Sequence, residues 1–166
     1  MDHFDAFPTT THLTAIQGNH VIASLRLTFD SAAKTPADEY YDFRTALPSE
    51  SKVLSCDLHC VNPDFYAPQI TASMMLMASY LAITENLTHI IAPVQADAVT
   101  VLNDLGFQSL LPPKNRKRLP MVLDIQKDLD DHFVQFSQQN ELQSIMRSYG
   151  CALYEPGETI LRAGTV

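Results

Sequence analysis

The 166-residue sequence has no apolar run of the roughly 18 residues that a membrane-crossing helix needs, so no transmembrane span is expected. Its first residues, MDHFDAFP, lack the basic region that opens a secretory signal. Cysteine is scarce: three residues at irregular spacing exclude a disulfide framework and suit a reducing, cytoplasmic setting. Glycine is scarce too, with five residues beside ten Pro, which excludes collagen-like and glycine-linker compositions. Basic residues number eleven against nineteen acidic ones, giving a formal charge of -8. A chain this acidic repels nucleic acid unless its cations are clustered, so no nucleic-acid partner is expected. Internal repeats and low-complexity tracts are missing as well.

What is present is apolar material, 46% of residues, enough to build a core for one domain and the beginning of another. Residues His12 to Gln17 and Val21 to Phe29 read as two strands joined by Gly18-Asn19, a hairpin signal. Alternation puts Val21, Ala23, Leu25, Leu27 and Phe29 on one face and Arg26 on the other. Asp30 to Ser51 reads as a long polar connection. KVLSCDLHCV (Lys52 to Val61) is a third strand, ended by Asn62-Pro63-Asp64. Ile70 to Thr84 is a helix, apolar nearly all round and so buried. Thr88 to Val94 is a central strand, and Ala96 to Leu105 a short helix stopped by Gly106. Phe107 to Leu111 and Met121 to Ile125 are strands flanking the basic loop PPKNRKRLP. Beyond Gln126, Leu129, Phe133, Phe136, Leu142, Ile145, Met146 and Tyr149 recur at helical spacing.

Within this order of elements, Val61, Pro63, Asp64 and Phe65, followed by Leu105, Gly106 and Phe107, resemble the V-x-P-D-[FY] and L-G-F anchors of the GNAT N-acyltransferase superfamily. The strand VIASLRLTF, with Arg26-Leu27, is similar to that of the acyl-homoserine-lactone synthase and N-acyl amino acid synthase branch. Asp2, Phe4 and Asp5 resemble that branch's D-x-F-D segment. The resemblance implies an α/β fold, a GNAT-like mixed central sheet with helices on both sides, over residues 1–126. A helical linker and a short strand segment follow over 127–166. There Tyr154, Pro156, Gly157, Glu158, Ile160 and Gly164 resemble the truncated start of a cyclic-nucleotide-binding domain. The family's N-terminal helices have no counterpart, so an uncovered sheet face and a homodimer are expected.

The resemblance further implies acyl transfer from a pantetheine thioester, on coenzyme A or on an acyl-carrier protein, to an amine. The family's pyrophosphate loop aligns with Ala67 to Ala72, where Ala72 alone fits, and its usual strand acid and tyrosine align with Ser55 and Leu102. That favours a medium or long chain on a carrier protein over acetyl-CoA. Val61, Gln69, Ile70, Thr71 and Ala72 are the expected thioester-binding residues. Asp57 and His59, on one strand face by alternation, are the acid–base candidates; the alternative is two polar residues satisfied at a sheet edge or bulge. Cys56 and Cys60 are expected to be buried structural thiols, and no metal site is expected, because no second Cys or His pair completes a tetrahedral set.

Arg26 is either a fork for a carboxylate or phosphate, or a solvated or ion-paired residue. Met74, Met75 and Met77 are either core or the wall of an acyl pocket. Lys114, Arg116, Lys117 and Arg118 are either a solvated turn, or the contact for an acidic partner or acceptor or for the phosphates of coenzyme A or phosphopantetheine. One alternative stands beside the enzyme: a non-catalytic, acyltransferase-like sensing or interaction module coupled to a cyclic-nucleotide-binding domain. An open cleft between the third and fourth strands marks the enzyme; a cleft filled by Ile70 and Leu102 marks the module.

Overall fold

The computed structural model describes residues 2–30, 34–65, 68–110 and 117–128. Lys114, Arg116, the helical linker and the cyclic-nucleotide-binding resemblance lie outside the described residues.

Strands β1 (Thr10–Gln17) and β2 (His20–Phe29) form the hairpin. Gly18 makes its turn at φ 59, in the left-handed region that glycine enters without strain. β3 (Val53–Val61) runs antiparallel to β2. β4 (His89–Val94) lies parallel to β3, and a parallel neighbour needs a crossover, which α2 (Pro68–Thr84) supplies; the short α1 (Phe43–Ala46) comes earlier, between β2 and β3. α3 (Val99–Asp104) ends at Gly106, whose φ of 90 serves the helix stop. β5 (Gln108–Ser109) and β6 (Leu119–Asp124) return antiparallel, and α4 (Ile125–Asp128) follows. The six strands stand in the order β1-β2-β3-β4-β6-β5, a mixed sheet. No helix among the described residues is long and apolar enough to cross a membrane.

The two sheet faces are buried by different means. α2 packs Met74, Met75, Ala78 and Ala82 against Leu25, Leu27, Leu54, Cys56 and Ile90, which form the main core. Its all-round apolar composition fits that position. On the opposite face Ala37 and Phe43 pack on Val53, Ile91 and Val122. The segment expected to be a plain connection thus folds into a cover. Thr35 donates from its backbone N–H and its hydroxyl to Asp38 Oδ2 at 2.8 and 2.9 Å, which caps a 3-10 turn at Pro36–Glu39 before α1. At β3, β4 and β6 this face is therefore covered by residues of the chain itself. Val21, expected with the apolar row, is instead 56% exposed at the hairpin end, where the β1–β2 register shifts.

Candidate functional site

The site begins where two strands part. β3 and β4 pair through Val53↔His89, Leu54↔Ile90 and Ser55↔Ile91, and no pairing continues beyond Ser55. On its other edge β3 carries a bulge: Leu58 and His59 together stand opposite Leu25, between the pairs Arg26↔Asp57 and Ser24↔Cys60. Leu58 takes φ 47, a left-handed conformation unusual for a residue with a branched side chain. An extra residue bends and twists its strand, and here the second half of β3 leaves β4 behind. A cavity of about 370 Å³ lies in the gap, walled by residues 56–61, by Thr71 and Met75 of α2, by Leu102 of α3, and by Arg118.

β4 presents backbone to this gap. Pro120 turns its carbonyl towards β5, accepting from the Leu110 N–H at 2.8 Å. Its partner Pro93 therefore points its own carbonyl away from β6, to the side where β3 has departed. Ile70 and Leu102, the side chains that would fill a closed cleft, are both buried, Ile70 in the main core and Leu102 in the cavity wall. The gap stays open.

The bulge corrects the first expectation about the catalytic pair. The register carries Cys60 onto the face of Ser24, Arg26 and Asp57, and Val61 onto that of Ala23 and Leu25. His59, two residues before the chain end of β3 and of the same parity as Val61, leaves the face of Asp57. Asp57 is spent elsewhere: its Oδ1 accepts from Arg26 Nε at 2.9 Å and its Oδ2 from Arg26 Nη2 at 2.6 Å. Arg26 Nη1 donates to Asp2 at 2.6 Å and Asp5 at 2.9 Å, and Phe4 lies with its ring centroid 5.7 Å from the guanidinium. Arg26 is 2% exposed, so its fork holds the N-terminal segment onto the sheet and does not reach an acceptor or a partner. Hydrogen bonds from Arg26 hold the Asp2 and Asp5 carboxyls below the usual carboxylate range, and the same partners, Asp57 first, raise the Arg26 pKa.

His59 is different. It borders the cavity, and its Nε2 is buried with no hydrogen-bond partner among the described residues. Burial pushes its pKa down, and the Asp97 carboxylate opposes that shift in part. Asp97 lies in the 3-10 turn after β4 and lines the same cavity. It escaped sequence reasoning because nothing local sets it apart from other exposed aspartates. Cys56 is buried and its thiol is pushed up in pKa by that burial, whereas Cys60 is exposed.

Of the expected thioester-binding residues, Val61 and Thr71 line the cavity. Ile70 is packed into the core, so its side chain does not offer a binding surface. Ala72 is half-buried outside the cavity wall, and Gln69 lies in the first turn of α2. Of the basic cluster, Arg118 reaches the cavity and Lys117 is exposed.

A family model described as N-acyl amino acid synthase FeeM matches residues 1–123. No curated protein matches the chain. The structure is similar to FeeM, an N-acyl amino acid synthase from uncultured soil microbes, with a TM-score of 0.69 and 19% identity, covering 80% of this chain and 77% of that one. It is similar to the CoA-dependent acyl-homoserine lactone synthase BjaI with SAM and isopentyl-CoA, at TM-score 0.62 and 17% identity, covering 82% and 68%. The GNAT domain of S. lividans PAT gives a TM-score of 0.53 at 14% identity, covering 70% and 61%. At these identities the likeness carries the fold, which is α/β of the GNAT type.

Proposed function

Because the chain belongs to the N-acyl amino acid synthase FeeM family, we propose that it transfers an acyl group from a pantetheine thioester to the amine of an amino acid in the β3–β4 cleft. The observation that carries this reading is the cavity between the parted strands, with the orphaned His59 nitrogen at its wall. A pantetheine arm is a narrow chain of amides, and it fits where a strand partner is missing, against the unpaired edge of residues 56–61. The first turn of α2 offers backbone N–H groups without helical partners beside Thr71, suited to the donor's phosphate.

His59 is the base. The amine enters the cleft unprotonated; the neutral imidazole takes a proton from it as the C–N bond forms at the thioester carbonyl, and the C–S bond breaks. The imidazolium then passes that proton to the departing thiolate, so that amide and thiol leave and His59 is neutral again. A histidine whose pKa is lowered by burial stays neutral, and so competent as a base, below the pH at which free histidine protonates. Asp97, and not Asp57, is the carboxylate that steadies the imidazolium formed in this step. BjaI is described with isopentyl-CoA, so acyl-CoA is the first donor to test, with acyl-carrier protein as the second. The open cleft favours an enzyme over a non-catalytic sensing module.

Native mass spectrometry with octanoyl-CoA, followed by thiol release in the presence of amino acids, tests the reading. His59→Gln is expected to lower kcat on the order of 10²- to 10⁴-fold while octanoyl-CoA still binds. An absence of acyl-CoA and acyl-carrier-protein binding at high concentration sinks the reading. An unchanged kcat in the His59 variant removes His59 as base.

A further inference from the structure

We propose that Arg118 is the residue that receives the carboxylate of the acceptor, entering the cleft from the sheet face opposite α2. The inference rests on the acyl-transfer reading and names the specificity of that site.

The placement follows from register. Val122 packs with Val53 and Ile91 on the face covered by residues 36–46, while Met121 and Leu123 belong to the core under α2. Arg118 has the parity of Val122 and lies against Tyr40, its guanidinium carbon 4.7 Å from the ring centroid. Yet it also lines the cavity that Thr71 and Met75 line from α2. The cavity therefore runs through the gap from one face of the sheet to the other, and the two faces offer different chemistry. The α2 face carries the helix N-terminus, where the donor's phosphate has its site. The other face carries Arg118, and a donor anchored at α2 leaves it vacant for a second anion.

The state of Arg118 suits a carboxylate. Arg26 is saturated by three aspartates, whereas no carboxylate among the described residues pairs with Arg118. Its one hydrogen bond there, Nη1 to the Pro93 carbonyl, is 3.4 Å long and readily exchanged. Contact with the Tyr40 ring restrains the guanidinium, whose planar fork matches a carboxylate. A chain of net charge -8, with Asp97 on the same cavity, repels a carboxylate that no dedicated cation receives. An amino acid held this way has its amine one carbon from the anchor, inside the cavity that His59 also lines.

The experiment presents the twenty common amino acids with octanoyl-CoA, and then each acylated one as its decarboxylated amine. Wild-type enzyme is expected to prefer the amino acid. Arg118→Gln is expected to reduce that preference on the order of 10- to 100-fold through the KM of the amino acid, and Arg118→Lys to recover part of it. A preference ratio that survives Arg118→Gln, or a rise in donor KM in place of acceptor KM, overturns the assignment and leaves acyl transfer standing. Calorimetric binding of the amino acids without donor separates the two ideas from the other side. Arg118-dependent binding by an enzyme that turns over no thioester supports the anchor and defeats acyl transfer. Binding that is equal for amino acid and amine defeats the anchor.

Discussion

Arg26 shows what a single residue is asked to do. It is among the most buried side chains in the molecule, and four short bonds to Asp2, Asp5 and Asp57 replace the water it has lost. Removing one partner of such a pair strands the other charge. Arg26→Met is expected to destabilise the protein by about 3–5 kcal/mol in urea titrations, because Asp57 is left buried and unpaired. The double variant Arg26→Met/Asp57→Leu is expected to lose less than the sum of the two single variants. Additive losses would show that the pair is not coupled. From the sequence, Arg26 was legible as the odd side chain of an apolar strand, with ion pairing one reading beside solvation and a ligand fork. Its partners were not, because Asp57 is 31 residues away and meets it through strand register alone.

At the scale of the element, the bulge in β3 decides the site. Plain alternation had put Asp57 and His59 together; one extra residue at Leu58 separates them and parts β3 from β4. No glycine or asparagine marks the position, so the sequence held no turn signal to read. Leu58 is 42% exposed and sits at φ 47, so its side chain contributes little burial against its backbone strain. Leu58→Gly is expected to stabilise the fold by about 1 kcal/mol, and Leu58→Ile to destabilise it, in thermal or urea denaturation. A glycine variant that is less stable would mean the leucine side chain has packing that offsets its strain. The hairpin, α2 and β4, by contrast, were legible within a residue or two. Each is a continuous segment whose own periodicity and turn residues declare it.

At the scale of the whole molecule, charge and pH link stability to the site. Asp2 and Asp5 titrate below their ordinary value of 3.8, chiefly through hydrogen bonds from Arg26. Their contribution is complete above that value and is lost as pH falls through the lower folded values. His59 works over a milder range. Its folded pKa lies below 6.5, so the unfolded chain takes the proton first and stability declines as pH drops from 6.5 toward the folded value. His59→Gln is expected to abolish that part of the decline. Parallel stability profiles for the two proteins from about pH 7.5 to about pH 5 would disprove the burial of a neutral His59.

The sequence by itself determined the class of fold, the order of the central elements and the family, since these follow from local periodicity and from motifs that are contiguous in the chain. Tertiary structure decided which polar residues meet. It gave Arg26 to Asp57, set Asp97 and His59 on the wall of one cavity, brought Arg118 to that cavity, and turned the connection at residues 36–46 into the cover of a sheet face. Those outcomes depend on strand register, on one bulge and on the packing of distant segments, and none of them leaves a local trace.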